Sequence, residues 1–119
     1  MTALQIANKS LALLGYTDNN NNTDLTQRVL NRILPLVNLV FSDICRMCDM
    51  KEKEIKSLDE DFSLPEKAVS VMACGLAAYI AAAEGDETAQ IFWAEEYSQR
   101  KTSMTQMCEY SDELPTPEY

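Results

Sequence analysis

Two cysteines spaced three positions apart come closest to a reactive site in this sequence. Cys45 and Cys48 form a Cys-x-x-Cys pair, which in a reducing compartment serves as a redox dithiol or as half of a zinc site. A redox pair has its first thiol at a helix N-terminus, and a zinc site needs a second closely spaced pair. The other cysteines, Cys74 and Cys108, are isolated. We therefore predict that the pair packs on a helix face, with thiol oxidoreductase chemistry as an alternative.

A group of carboxylates is the second candidate for chemistry. Asp59, Glu60, Asp61 and Glu66 lie in one short stretch, and calcium prefers several oxygen ligands. Their spacing lacks the Asp-x-Asp-x-Asp-Gly turn and the distant bidentate glutamate of a calcium-binding loop. We therefore expect a solvated acidic loop beside a helix N-terminus, and no metal site.

The amino-acid composition removes further classes of active site. The chain has no histidine, so it cannot by itself build a Ser-His or Cys-His nucleophile, a histidine base or a histidine-ligated metal. Gly15, Gly75 and Gly85 are far apart and form no phosphate-binding loop. Trp93 and Tyr97 stand at helical spacing, which favours core packing over a cofactor pocket. We expect no catalytic residues and no cofactor.

Charge and length restrict the choice of partners. The 119 residues carry 19 acidic and 10 basic side chains, a formal net charge of −9, which disfavours binding to nucleic acid through a basic face. With 46% hydrophobic residues, a chain of this size can bury one core without metals or disulfides. We find no secretory signal and no apolar run of about 20 residues that would cross a bilayer. We therefore expect a protein of the cytoplasm in which it is made, without membrane contact.

Hydrophobic spacing predicts an all-α bundle of about four helices. They cover approximately residues 3–14, 24–48, 64–84 and 87–108, with Asp24 or Thr23 as the N-cap of the second helix. Thr2 is the expected N-cap of the first helix, and Gly15 closes it. We predict that the second helix is kinked between Asn31 and Pro35, because a proline removes a helical hydrogen bond and clashes with the preceding turn.

The second half of the chain predicts a helical hairpin. Ser63 and Glu66 match a capping box at the start of the third helix. Gly85 and Asp86 mark a tight break between the third and fourth helices, which therefore pair antiparallel. The expected buried line of the fourth helix, with Phe92 and Cys108 beside it, contains Ala89, Trp93, Tyr97, Arg100, Met104 and Met107.

Two segments lack helical periodicity. Residues 49–63 are mostly charged, and we predict a solvated connector with a helical turn or a short strand at 54–58. Residues 109–119 contain two prolines, four carboxylates and no basic residue, which is typical of a flexible tail. The predicted organisation is thus one helical domain, 1–108, followed by an acidic tail.

Several short segments in this order resemble the bacteriophage head–tail connector family, the adaptor proteins of tailed-phage and prophage necks. The resemblance covers most of residues 1–104. Its segments are Ala7 to Tyr16, Val37 to Phe41, Leu58 to Pro65, Ala73 to Tyr79, Glu84-Gly85-Asp86, and Phe92 with Tyr97.

The resemblance implies a virion structural protein without catalytic activity. Such an adaptor forms a homo-oligomeric ring of about twelve copies, which docks under the portal protein, carries the next neck or tail-completion protein and lets DNA pass through its lumen. The alternative is a small acidic regulatory module that binds one host protein. The residues expected to contact partners are Leu58, Asp59, Glu60, Asp61, Phe62, Leu64, Tyr110, Leu114 and Tyr119.

Overall fold

The computed structural model describes residues 1–16 and 23–113, with side chains in 1–16 and 27–104. Within these residues the protein is all-α, as predicted, and contains no β-strand. Its helices are α1 (Ala3–Leu14), α2 (Thr23–Asn31), α3 (Ile33–Met47), α4 (Glu66–Ala83) and α5 (Glu87–Glu113). Because α1, α3 and α5 all pack against α4, α4 is the central helix.

Both predicted ends of α1 are confirmed. The Thr2 hydroxyl accepts a hydrogen bond from the Gln5 backbone N–H at 3.1 Å, and the Gln5 side chain accepts one from the Thr2 N–H at 2.9 Å. Gly15 ends the helix at φ 75°, a left-handed conformation that favours glycine. The buried hydroxyl of Ser10 donates to the Ala73 carbonyl at 3.0 Å, which ties α1 to the middle of α4.

The predicted kinked second helix is instead two helices, α2 and α3, which meet at Arg32. Pro35 is the third residue of α3, where a helical N–H has no intrahelical partner to lose. Its ring would clash with the carbonyl of Asn31 in a continuous helix, and α2 ends at that residue. Arg28 and Arg32 bind the Glu84 carboxylate at 2.6 and 2.7 Å, so this junction is fastened to the C-terminal end of α4.

Asn38 fastens the middle of the connector between α3 and α4, residues 48–65, to the bundle. Asn38 accepts a hydrogen bond from the Ile55 N–H at 2.7 Å and donates one to the Ile55 carbonyl at 2.9 Å. The Ile55 side chain is 1% exposed. No strand covers 54–58, and a hydrogen-bonded turn begins only at Ser57, whose carbonyl accepts from the Glu60 N–H at 3.3 Å. The amide of Asn38 satisfies the backbone groups of Ile55 that a neighbouring strand would otherwise satisfy.

The predicted capping box at the start of α4 is wrong. α4 begins at Glu66, with Pro65 in the cap position and no side-chain cap. A cap at Ser63 would require Leu64 to be helical, but a residue before proline is sterically biased toward extended geometry. The Pro65 carbonyl accepts from the Ala68 N–H at 2.8 Å instead.

The antiparallel hairpin of α4 and α5 is confirmed. Gly85 adopts φ 77°, and the Asp86 carboxylate accepts a hydrogen bond from the Ala89 N–H at 3.2 Å as the N-cap of α5. α5 continues to Glu113, five residues past the predicted end at 108. Those five residues of the predicted tail are therefore helical, and 114–119 lie outside the described residues.

The central helix is unusually apolar. Among the described residues α4 alone has the length and composition to cross a membrane, and 61% of it is buried in the bundle. A helix buried in the core of a globular protein can be equally long and equally apolar. Small side chains dominate it, and they let the neighbouring helices approach closely.

Candidate interaction surfaces

The apolar residues of the predicted partner-binding loop lie mostly against the bundle. Phe62 is 4% exposed, and its ring packs edge-on against Phe41 with centroids 5.0 Å apart. Leu58 and Leu64 are partly buried against the same core. These three side chains hold the connector in place, which leaves the carboxylates as the accessible part of the loop.

Two of the three acidic residues in this loop make local contacts. Asp61 binds the N-terminal ammonium of Met1 at 2.6 Å, and the resulting hydrogen bond lowers the pKa of its carboxyl. Glu60 accepts from the Lys56 N–H at 2.7 Å and pairs with Lys53 at 3.2 Å; the backbone hydrogen bond, then Lys53, lowers its pKa. Asp59 is exposed. The loop thus fastens itself to the start of the chain.

The remaining predicted partner residues are in the C-terminal segment. Tyr110 lies in α5, where the backbone is helical and the side chain is outside the described set. Leu114 and Tyr119 lie outside the described residues. The predicted loop and tail are therefore not brought together by any described contact.

The Cys-x-x-Cys pair has the character of core residues. Cys45 is fully buried, and its thiol contacts the Lys51 carbonyl at 3.8 Å. Burial, aided by the nearby Glu52 carboxylate, raises the pKa of the Cys45 thiol. A redox nucleophile needs a lowered pKa and access to solvent. Cys48, which is half-buried, follows the end of α3, so neither thiol lies at a helix N-terminus.

A polar cluster locks α3 to the α4–α5 hairpin. The Tyr97 hydroxyl donates to Asp43 at 2.7 Å, and the Lys101 ammonium donates to the same oxygen at 3.0 Å. Burial and the Asp43 contact raise the pKa of Tyr97. Burial alone would raise the pKa of Asp43, but the hydrogen bonds from Tyr97 and Lys101 outweigh it and lower that pKa. The Tyr97 ring lies directly over Gly75, so this cluster occupies the closest approach of the hairpin.

The outer face of α5 is an exposed apolar surface. Ile91 is 62% exposed and Phe92 is 52% exposed, and Phe92 packs only edge-on with Trp93 at a centroid distance of 4.8 Å. The prediction that Phe92 is buried beside the apolar line of α5 is thus wrong. Met104, which is on that line, is buried as predicted, with 3% of its surface exposed. The reason is that α5 packs mainly on α4, so only a narrow face of it is covered.

A groove runs along α4 between α1 and α5, and we call it the α1–α4–α5 groove. It encloses about 630 Å³. Val69, Ala73 and Cys74 of α4 form its floor, Leu13 stands on the α1 side and Trp93 on the α5 side. The side chains of the floor are small, so the two flanking helices rise above it. Its charged groups are the side chains of Lys9, Arg100 and Glu66 and the N-terminal ammonium of Met1, which is paired with Asp61.

Comparison with known proteins leaves the site to be interpreted from its own geometry. No protein-family model, curated protein or solved structure matches this chain. Within residues 1–16 and 27–104, no three His, Cys, Asp or Glu side chains come close enough together to hold a metal ion. The features that remain are surfaces: the outer face of α5 and the α1–α4–α5 groove.

Sequence reasoning missed both surfaces for the same reason. Leu13 widens the apolar stripe of α1, and Phe92 stands beside the apolar line of α5, but only the packing of whole helices decides which edge is covered. A usable signal was present in the charges: residues 1–17 contain no carboxylate, and Lys9 is their only charged side chain. In a chain of net charge −9, α1 is therefore unusual because it carries no negatively charged side chain.

Proposed function

We propose that this chain is a structural adaptor subunit of a tailed-phage or prophage head–tail connector. In this role it assembles as a ring in the virion, between the portal and the adjacent neck or tail-completion protein. The class of protein is proposed from the resemblance of the sequence to the head–tail connector family. The observation that carries the proposal is α5, an edge helix that exposes Ile91 and Phe92.

An exposed helix face of this kind suits contact between subunits. α5 has 27 residues, which corresponds to a length of about 40 Å. Gly75 lies opposite Tyr97, so the start of α4 is level with roughly residue 106 and the end of α5 projects about 10 Å past it. A long, partly apolar edge can pack on a neighbouring copy, and a repeated contact of this head-to-tail type forms a ring when the rotation between successive copies closes.

The charge of the chain is compatible with a DNA conduit. At a net charge of −9, a ring presents an overall negative field, which repels DNA phosphates and keeps them from adhering to the lumen. This favours a passage for DNA over a DNA-binding protein.

The proposal is tested by the assembly state of the full chain. We expect mass photometry to detect a ring of about twelve copies, either with the chain alone or with the portal protein encoded nearest to it. Phe92→Asp should prevent assembly, whereas Leu39→Asp should not; Leu39 is a matched control because it is 49% exposed on α3.

Two outcomes would count against a connector. One is a chain that stays monomeric alone and with the portal protein at every salt concentration. The other is a stable one-to-one complex with a host protein in the absence of self-assembly, which would favour the regulatory module.

A further inference from the structure

The α1–α4–α5 groove carries more basic than acidic side chains, although the chain as a whole is strongly acidic. The side chains of Lys9, Arg100 and Glu66 line it and together carry one net positive charge, in a chain of net charge −9. The N-terminal ammonium of Met1 also lines the groove and is paired with Asp61. Arg100 also pairs with Glu96 at 3.3 Å, but this contact is exposed, and an exposed ion pair is readily exchanged for another. A ligand for this groove should therefore be acidic and partly apolar.

The groove has the apolar component that such a ligand needs. Leu13 is 42% exposed on its rim, and Val69 and Trp93 are partly exposed within it. A volume of about 630 Å³ falls in the range of about 300–1,000 Å³ typical of pockets for small ligands, so a few large side chains can enter. Burying apolar area there contributes about 25 cal/mol per Å².

One segment of the chain itself has the matching chemistry. Residues 109–119 carry four carboxylates and no basic side chain. They also contain apolar or aromatic residues that are well separated, Tyr110, Leu114 and Tyr119. The segment therefore complements the groove in charge and offers side chains for its floor.

The geometry directs this segment to a second copy. Residues 114–119 span at most about 20 Å from Glu113 when fully extended. Trp93 lies 20 residues before Glu113 on α5, a distance of about 30 Å along the helix. The C-terminal segment of the same chain can therefore reach the Val69 end of its own groove but not the Trp93 end, whereas the segment of a neighbouring copy can lie along the whole groove.

We infer that the α1–α4–α5 groove binds the acidic C-terminal segment, residues 109–119, of a neighbouring copy of this chain. The groove and the segment are different surfaces, so each copy can offer a segment to one neighbour and a groove to the other. Because this contact requires the self-association proposed above, its test must also be independent of ring formation.

The first experiment measures the groove directly. A fluorescein-labelled peptide of residues 109–119 is titrated with the full chain, and binding is followed by fluorescence anisotropy. We expect saturable binding that weakens at least tenfold in the variant Lys9→Glu/Leu13→Glu. The control Leu39→Glu, on exposed α3 surface, should bind as the unmodified chain does. Circular dichroism verifies that each variant is folded.

The second experiment separates binding between copies from binding within one copy. The groove variant Lys9→Glu/Leu13→Glu and the segment variant Asp112→Lys/Glu113→Lys/Leu114→Asp should each lose association by mass photometry. An equimolar mixture should form complexes of two copies, because the first variant still donates a segment and the second still has a groove. A mixture that stays monomeric would overturn the inference.

The two proposals fail in different ways. Absence of saturable peptide binding, or equal binding by the chain and its groove variant, overturns the groove inference even if rings form with the portal. Specific peptide binding without any ring, alone or with the portal, supports the groove inference and overturns the connector assignment.

Discussion

Replacement of Gly75 by alanine should destabilise this protein, although alanine is the better helix former. A Cβ at position 75 would lie 2.8 Å from Cε1 and 3.0 Å from Cδ1 of the Tyr97 ring. Carbon atoms prefer a separation of about 3.5–4.0 Å, so the ring must move. It is held on its other side, because its hydroxyl donates to Asp43 at 2.7 Å and the Lys101 ammonium lies 4.8 Å from its centroid.

The opposing contributions to Gly75→Ala have known sizes. Alanine gains about 1 kcal/mol over glycine in a helix interior. Overpacking of a core site costs about 1–3 kcal/mol, and loss of the Tyr97 hydrogen bond to the Asp43 carboxylate adds about 1.5–3 kcal/mol if the ring swings away. We expect a net loss in the free energy of unfolding of up to about 2 kcal/mol if the hydrogen bond survives and of about 1.5–5 kcal/mol if it is lost, measured by urea denaturation.

Two comparisons test whether Gly75→Ala destabilises the protein for the reason given. At the exposed position 70 of the same helix, Ser70→Ala should be more stable than Ser70→Gly by about 1 kcal/mol, which measures local helix propensity. In a Tyr97→Leu background, Gly75→Ala should become stabilising, because the ring is gone. If Gly75→Ala already stabilises the unmodified chain by as much as the Ser70 pair differs, the close contact between α4 and α5 does not limit stability and the reasoning is refuted.

Three further predictions concern the contacts that hold the elements together. Asn38→Ala should cost about 1–3 kcal/mol by urea denaturation and speed proteolysis of the connector, since the N–H and carbonyl of Ile55 lose their partner; normal protease resistance would contradict this. Asp43→Asn should reduce stability at pH 7 by about 1 kcal/mol. The pKa of Asp43 is lowered in the folded protein, so its carboxylate stabilises the fold at pH values above the ordinary pKa of 3.8. This stabilisation is lost as the pH falls through the folded pKa, and the stabilities of the variant and the unmodified chain should become equal there. Glu84→Gln should weaken the α2–α3 junction, with an effect that shrinks in high salt; a salt-independent loss would argue for packing instead.

Local features of the fold were predictable from the sequence, because their causes lie within a few residues. The caps of α1 at Thr2 and Gly15 and the break at Gly85-Asp86 depend on side chains within one turn of the helix end. The start of α4 shows the limit of such patterns. Ser63 and Glu66 match a capping box, but Pro65 restricts Leu64, and that steric effect decides the geometry.

Contacts distant in sequence could not be predicted. Ile55 is a lone apolar residue among charged neighbours, and its partner Asn38 lies 17 positions away. Nothing in either local pattern indicates that an amide on α3 meets this backbone. The small residues of α4 are typical of a helix that its neighbours approach closely, but which group fills the space over Gly75 depends on a distant residue, the ring of Tyr97.

The two proposed surfaces share one helix, α5. Substitutions at exposed positions can nevertheless change one surface without the other. α5 contributes Trp93 and Arg100 to the groove, exposes Ile91 and Phe92 on its outer face, and continues into the acidic segment. A change that unfolds α5 would abolish every contact at once and would be uninformative. Exposed positions are different: Ile91→Asp leaves the groove residues and the Phe92 contact of Trp93 in place, and Leu13→Glu leaves the outer face intact. If both contacts hold a ring together, each substitution should weaken assembly, whereas only the second should weaken binding of the 109–119 peptide.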